Sequence, residues 1–517
     1  MPKKSKINID RLDNASELYL LNRFDGGFND TYSNEVLRDE ESIVRQNWGN
    51  DENGSLVKVN GYTKANSTTM GAKPVRGLFR CYESDGTKKL LALCNGKLFY
   101  SDDDAAFTQE GNSTAYTETD YFTGVNYNDK FFLTGKTENL HVYDPAADTS
   151  AAATDQPTDP CQILLKRADR RLLAFVNAVN GSTLYYSKID PTGAAADDWS
   201  ASNDAGSIAI DGAKSEPLRG GMTFASIDII FKDYAAFKVW GYPAPQAERM
   251  PGSPGCAAPY SVSQGEGLGF HLAHDGVWLW DGNLFIKISD PIKTTIDAIS
   301  STYVQNAFGV YREGYYWLFY TTSGDTINKS CIVYDVKHSN PYDNKNIWFN
   351  RTNMEMNCPV IFSGAGDDNE IYAGVSADTG FVYRLDYSAT GADDTSNIVA
   401  INQSKYFHFG FPNLVKRFKA IRIKYYLLSG EITFNWYTNR GVKTGNYSGA
   451  TAGGTKLGSF QLDVDTLAGG LTAYHEEKLT DNCTGKDLSI KVTNNATGTA
   501  PKIEEIEVEW EALYYES

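Results

Sequence analysis

Lys89-Leu-Leu-Ala-Leu-Cys94, then Asn95-Gly96, then Leu98-Phe-Tyr-Ser101: an apolar run, a two-residue turn, and a shorter strand that ends on a small polar residue. Asn-Gly tolerates positive φ at both turn positions, as a tight hairpin requires, so this stretch reads as two antiparallel strands. Its second strand recurs as Leu140-His-Val-Tyr-Asp144, Leu184-Tyr-Tyr-Ser187, Phe237-Lys-Val-Trp-Gly241, Val277-Trp-Leu-Trp-Asp281, Ile332-Val-Tyr-Asp335 and Phe381-Val-Tyr-Arg384. Successive starts lie 42, 44, 53, 40, 55 and 49 residues apart. A four-stranded propeller blade occupies about 40–50 residues, so the spacing predicts one copy per blade.

Most copies follow another strand and a turn. Arg171-Leu-Leu-Ala-Phe-Val176 precedes Asn180-Gly181, Leu268-Gly-Phe-His-Leu272 precedes Asp275-Gly276, and Tyr315-Tyr-Trp-Leu-Phe-Tyr320 precedes Ser323-Gly324. Strands at short regular spacing also suit a sandwich. The blade-sized period and its extent favour a β-propeller of about seven blades, over residues 65–386. One helix interrupts the pattern. Asp290 is expected to cap it, with Pro291 in its first turn and Ile292, Ile296 and Ile299 on one face, as a connector between blades.

Residues 1–64 read as a partly extended N-terminal segment that packs on or closes the propeller, and residues 387–400 as a polar linker. Over residues 401–517 the strands change character. Phe418–Leu428 is apolar at Phe418, Ala420, Ile423 and Tyr425, and turns at Ser429-Gly430 into Glu431–Thr438. Further strands are expected at Lys456–Val464, Leu488–Thr493 and Lys502–Trp510. In the last, Ile503, Ile506, Val508 and Trp510 alternate with Glu505, Glu507, Glu509 and Glu511, with a slip near residue 504. One face packs and the other carries four carboxylates, which predicts a C-terminal β-sandwich.

Composition agrees with a mostly β chain. Of 517 residues, 32 are Tyr and 25 Phe, which suit pleated half-buried surfaces, and 46 are Gly, as many tight turns require. The net charge of −17 disfavours tight binding to nucleic acid, whose affinity comes from Lys and Arg. The same sign suits a wall past which DNA must slide, as well as plain solubility. Seven cysteines without C-x-x-C spacing argue against a disulfide framework and a thiolate metal site. Met1–Ile9 is Lys-rich without an apolar core, so no signal peptide is expected. No apolar run is long enough for a membrane helix.

No catalytic, cofactor-binding or metal-ligating residues are assigned, and no enzymatic activity is expected. The sequence holds no G-x-S-x-G, no phosphate loop, no H-E-x-x-H and no zinc spacing. His271 and His274, three apart in a strand pair, should point to opposite faces. Asp144, Asp281, Asp335 and Asp386 recur at strand ends, where Asx-turns are expected rather than calcium ligands. Ser101-Asp-Asp103-Asp-Ala-Ala-Phe107 partly matches the turn-stabilising Asp-box of sialidase propellers. Two short basic clusters, Lys166-Arg167 with Arg170-Arg171 and Lys416-Arg417 with Lys419, could face a partner.

An ordered set of segments resembles the tail nozzle proteins of short-tailed double-stranded DNA bacteriophages. The set begins with Phe24-Asp-Gly-Gly27-Phe-Asn-Asp, Ser42-Ile-Val-Arg-Gln-Asn-Trp48, Leu56-Val-Lys-Val-Asn-Gly-Tyr62 and Val75-Arg-Gly-Leu-Phe-Arg80. Its most telling part is Gly255-Cys-Ala-Ala-Pro259-Tyr-Ser-Val262, followed by His274-Asp-Gly-Val-Trp-Leu-Trp-Asp-Gly282 and Ile288-Ser-Asp290. The resemblance implies a virion structural protein, assembled in the bacterial cytoplasm. It would form a ring, a hexamer, below the tail adaptor, retain packaged DNA and then conduct it during ejection. Adaptor, and tail fibre or spike proteins, are its implied partners. Two other classes stand beside it: a receptor- or glycan-binding propeller on a virion or cell surface, and a glycoside-acting enzyme. The last strand's Glu505, Glu507, Glu509 and Glu511 are a candidate acidic channel wall.

Overall fold

The computed structural model describes residues 16–102, 106–176, 179, 181–212, 216–224, 227–363, 369–388, 392–426, 431–439, 442–450, 472–479, 483–495 and 501–515. The chain forms two compact units. One comprises residues 62–346 and 351–387; the other comprises the described residues up to Gly61, with Ile347–Asn350 and the chain from Ser388.

The first unit is a β-propeller. Among the described residues it has seven antiparallel sheets, and the seven recurring strands each stand third in their own sheet. The innermost strands are Val75–Tyr82, Phe122–Tyr127, Ile163–Lys166, Leu218–Phe224, Ser263–Gly265, Phe308–Arg312 and Met356–Phe362. Each packs against the next, and the last packs against the first, so the ring is closed. Six sheets take four strands in chain order. The seventh, Met356–Phe362, Glu370–Val375 and Val382–Ser388, takes its outer strand from Gly61–Lys64, ahead of the first blade.

That outer strand is held as a clasp. Ala65 N donates to Val382 O at 2.8 Å, Val382 N to Asn66 Oδ1 at 2.7 Å, and Met70 N to Gly380 O at 3.1 Å. The Tyr62 and Tyr383 rings meet edge to face at 5.0 Å, and Lys64 Nζ lies 4.6 Å from the Phe381 ring. Polar side chains also stitch neighbouring inner strands. Asn126 donates to Tyr82 O at 2.7 Å and accepts from Tyr82 N at 3.0 Å. Thr123 Oγ1 donates to Gln162 O at 2.7 Å, and Tyr311 N donates to Ser263 Oγ at 2.9 Å. Each bond satisfies backbone groups at a strand edge that would otherwise face the axis.

The Asn95-Gly96 turn follows the sequence, whereas at Asp275-Gly276 and Ser323-Gly324 only the glycine takes positive φ, 147° and 102°. Asn95 and Gly96 have φ of 51° and 63°, as a tight hairpin demands. Asn180, Ser429-Gly430, Lys456–Val464 and Asp103–Ala105 lie outside the described residues. The interrupting helix is a single turn, Lys293–Asp297, entered through a 3-10 turn Asp290–Ile292. Ile292 and Ile296 are buried as expected. Asp290 does not cap it: the residue sits inside the first turn, 3.5 Å from Lys287 Nζ.

The second unit is a β-sandwich. One sheet runs Trp48–Asn50, Leu56–Lys58, Lys502–Tyr515, Leu414–Tyr426, Thr472–Lys478, with Glu17–Leu21 also on Lys502–Tyr515. The other contains Glu41–Gln46, Ala400–Ser404, Leu488–Asn494, Glu431–Thr438 and Val442–Ala450. Leu21, Phe24, Trp48 and Leu56 share one core with Phe418, Trp436, Val492 and Trp510. Two expected boundaries therefore change. The described residues from Ser16 to Asn60 belong to the sandwich, because Leu21, Phe24, Trp48 and Leu56 help fill its core, and only the stretch from Gly61 closes the propeller. The expected linker also carries structure: Ala392–Asp393 pairs with Ser396–Asn397, and Ile398 is fully buried.

The face with the glutamates is not a bare acidic wall. Arg417, Arg422 and Lys424 stand directly opposite Glu511, Glu507 and Glu505, and Glu504 is the bulged residue behind the slip near that position. Arg422 pairs with Glu507, with Glu509 at 2.6 Å and with Glu476 at 3.0 Å; Glu511 takes Arg417 at 3.0 Å and Lys419 at 2.6 Å. The Arg422 bond holds the Glu509 carboxyl below its ordinary range. Opposite charges across a ladder stabilise it; like charges alone would repel. Arg422→Met should leave three carboxylates facing one another. It should lower the unfolding free energy by about 1–2 kcal/mol, more than a lone exposed pair is worth, with the deficit shrinking in high salt. Thermal melts of the full chain at two salt concentrations check this; an unchanged melt would contradict it.

Candidate functional site

The residues at the starts of the innermost strands meet near the propeller axis. Arg76 comes from blade 1, Tyr121 precedes the inner strand of blade 2, and Gln162 that of blade 3. Tyr260 precedes the inner strand of blade 5, Phe308 opens that of blade 6, and Asn357 lies in that of blade 7. Tyr260 and Phe308 stack at 4.8 Å, and Tyr121 meets Phe308 edge-on at 5.0 Å and Tyr260 at 5.6 Å. The Arg76 guanidinium lies 4.6 Å from the Tyr121 ring. Asn357 donates to the Tyr121 hydroxyl at 3.0 Å, Gln162 to the Tyr260 hydroxyl at 2.5 Å, and that hydroxyl to Tyr121 O at 3.1 Å.

The segment that sets Tyr260 in place is Gly255–Val262. A Cβ on Gly255 would lie 1.9 Å from Asp233 O, so only glycine lets the chain pass there. Cys256 N then donates to Lys232 O at 2.8 Å and Ala257 N to Leu272 O at 2.8 Å. Pro259–Ser261 makes a buried 3-10 turn. Ser261 Oγ donates to Ala258 O at 2.7 Å and accepts from Leu272 N at 2.9 Å, while Tyr316 donates to Ser261 O at 2.8 Å. These bonds join blades 4, 5 and 6.

The chemistry of this cluster is that of a plug. Burial pushes the Tyr121 hydroxyl up to about 12, opposed by Arg76, and raises the Tyr260 hydroxyl further. Burial also pushes the Cys256 thiol up to about 12 and raises Cys358, so both stay protonated and poor nucleophiles near neutral pH. Among the described residues, no group of three or more His, Cys, Asp or Glu is placed to hold a metal ion. Among the described residues, no helix is long and apolar enough to cross a membrane.

The residues singled out in the sequence are dispersed. His271 is fully buried between Phe231 and Phe285, whereas His274 sits at the surface on Tyr234, so the two do not meet. Asp144 accepts from Ala146 N, and Asp281 from Asn283 N and Leu284 N, as Asx-turns; Asp335 accepts from the backbone and ring of His338. Asp386 differs, at φ 56° and 4.0 Å from Arg312. Most members of the two basic clusters are already engaged, although Lys166 and Arg170 stay exposed. Arg167 pairs with Asp228 at 2.9 Å and Arg170 with Asp190 at 3.0 Å, while Arg171 is buried and donates to Ser187 O and Asp204 O. Lys416 is buried too, donating to Phe411 O, Leu414 O and Lys486 O, and burial lowers it to about 8. The axial cluster itself leaves no periodic signal, since its members come from six blades.

The chain is thus a β-propeller protein that also carries a β-sandwich unit. No family model and no curated protein matches it. Among solved structures, it is similar to YCF48 from Cyanidioschyzon merolae at 9% identity and TM-score 0.41, over 63% of this chain and 98% of that one. It is also similar to the computationally designed Ika8 protein, at 10% identity and TM-score 0.37, over 62% of this chain and 99% of that one. A streptogramin B lyase structure is similar at 10% identity and TM-score 0.40, over 63% and 96%. Likenesses this distant carry no activity across.

His271 supplies a pH test of the propeller core. Burial, partly opposed by the Gly255 backbone, pulls its pKa from 6.5 down to about 3. Protonation therefore favours the unfolded chain. The neutral ring's contribution is complete above pH 6.5 and is lost as pH falls towards 3, by about 1.4 kcal/mol per pH unit. His271→Phe should flatten the fall in melting temperature between about pH 6.5 and about pH 4.5. Parallel melts of the two proteins with the same pH slope would refute the assignment.

Proposed function

We propose that this chain is a structural component of a bacteriophage short tail. In this reading it forms a ring below the adaptor that retains packaged DNA and then conducts it during ejection. The observation that carries the reading is the use made of Gly255–Val262, the stretch on which the resemblance to tail nozzle proteins mainly rests. Its side chains and backbone lock three blades together around Tyr260 rather than lining an accessible site. A motif spent on rigidity suits a wall block. The net charge of −17 suits a surface past which phosphates must slide. The raised thiol and phenol groups near the axis support a non-enzymatic role.

The test is electron microscopy of the full-length chain, alone and with its adaptor. The proposal expects closed rings of six copies whose lumen carries more Asp and Glu than Lys and Arg. Because the Glu507–Glu511 face is already matched by Arg417, Lys419 and Arg422, the excess acid must come from elsewhere on the surface. A chain that stays monomeric with adaptor present and binds whole cells instead would overturn the ring and favour a receptor-binding propeller. A ring with a lumen of mainly Lys and Arg would grip DNA in a salt-dependent way and remove the conduction argument.

A further inference from the structure

The strand Glu17–Leu21 lies at an edge of one sandwich sheet. One side of it pairs with Lys502–Tyr515 over five continuous positions, from Glu17 opposite Trp510 to Leu21 opposite Ile506. Among the described residues, no strand pairs with its other side. The backbone N–H and C=O groups of such an edge are a template for one more strand. Edges of this kind are commonly guarded by a lysine, a proline or a bulge. Glu17-Leu18-Tyr19-Leu20-Leu21 has none of the three.

The two faces of the strand differ. Leu21 is buried in the sandwich core. Tyr19 points the same way: its ring meets Phe407 at 5.4 Å and Phe409 at 5.1 Å, and its hydroxyl bonds Asp39. The strand is therefore fixed before anything joins it, which lowers the ordering cost of a partner. The other face carries Leu18, 63% exposed, and Leu20, 48% exposed. They stand opposite Glu509 and Glu507, whose charges Arg422 already meets. Leucines beside matched charges offer apolar contact without repelling a second strand of the same kind.

We propose that a second copy of this chain adds its own Glu17–Leu21 to this edge, antiparallel and centred on Tyr19. The sequence is complementary to itself in that register. Leu18 of each copy falls opposite Leu20 of the other, and the four leucines make one apolar stripe on the outer face. A slip by one position would set Leu18 against Tyr19, which faces the core, so the register is specified. The two Glu17 carboxylates sit at opposite ends of the join. A two-fold contact closes on itself, so it joins copies in pairs whether or not they also form a ring, and it does not rest on the tail reading. Five residues a side make a small interface, well under about 1,200 Å², so in dilute solution the pair is weak, with a Kd of about 0.1 mM.

The experiment reads the register by cross-linking in the full-length chain. The seven native cysteines are buried, so an introduced one is the accessible thiol. A Leu18→Cys chain and a Leu20→Cys chain are mixed at about 0.1 mM and oxidised with glutathione disulfide. The mixed disulfide pair should exceed that from either variant alone at least tenfold, because positions 18 and 20 meet directly while like positions are offset by two residues. Leu18→Lys combined with Leu20→Lys should weaken the doubling of mass in sedimentation equilibrium tenfold or more. Its melting temperature should not change, since both side chains are exposed. A mixed cross-link no stronger than the unmixed controls would overturn the proposal. So would a Leu20→Cys thiol that only added adaptor protein shields from alkylation, which would give the edge to a different protein. Rings of six that form while the mixed cross-link fails would leave the tail reading standing and refute this pairing.

Discussion

The pairing on which the propeller depends joins Gly61–Lys64 to Val382–Ser388. A ring of radial sheets has no natural end. Unless one sheet combines strands from both ends of the chain, the first and last blades present open faces and slide apart. Here the seventh sheet takes its outer strand from ahead of the first blade, and Asn66 extends the join by donating to Gly380 O at 3.4 Å and accepting from Val382 N at 2.7 Å. Closing a loop of some three hundred residues costs about 5 kcal/mol of chain entropy. The hydrogen bonds, the Tyr62–Tyr383 contact and the burial of Val75 against Gly374 together offset it.

Once the ring is closed, the inner strands are forced close to one axis. Their starts then have to be filled and their edges satisfied. Tyr121, Tyr260 and Phe308 do the first; Asn126, Thr123 and Ser263 do the second. The segment Gly255–Val262 is the most constrained piece of this arrangement. It needs a residue without a side chain at Gly255, a small buried thiol at Cys256, and a turn at Pro259 that delivers Tyr260 inward. Such demands make a rigid block, and they leave buried ionisable groups protonated or neutral rather than reactive.

Local patterns were legible in the sequence and distant pairings were not. Each recurring strand, from Leu98-Phe-Tyr-Ser101 to Phe381-Val-Tyr-Arg384, sits third in a sheet because alternation and adjacent turn residues are written within a dozen positions. The slip at Glu504 was visible for the same reason. By contrast, Arg422 finds Glu507 from 85 residues away, and Trp48 joins Trp510 in one core across most of the chain. Neither carries a local mark. The same holds for the axial cluster, whose members come from six blades.

The claim that the clasp holds the whole ring, and not merely its own strand, is open to a direct measurement. Hydrogen–deuterium exchange with mass spectrometry can follow the full chain and an Asn66→Ala variant, which loses the amide that bridges Thr68 O, Gly380 O and Val382 N. Ring closure predicts that exchange rises together in Val382–Ser388, Gly61–Lys64 and the first inner strand Val75–Tyr82, while Ile163–Lys166, on blade 3, is unchanged. Faster exchange confined to Gly61–Lys64, with Val75–Tyr82 as protected as before, would contradict it.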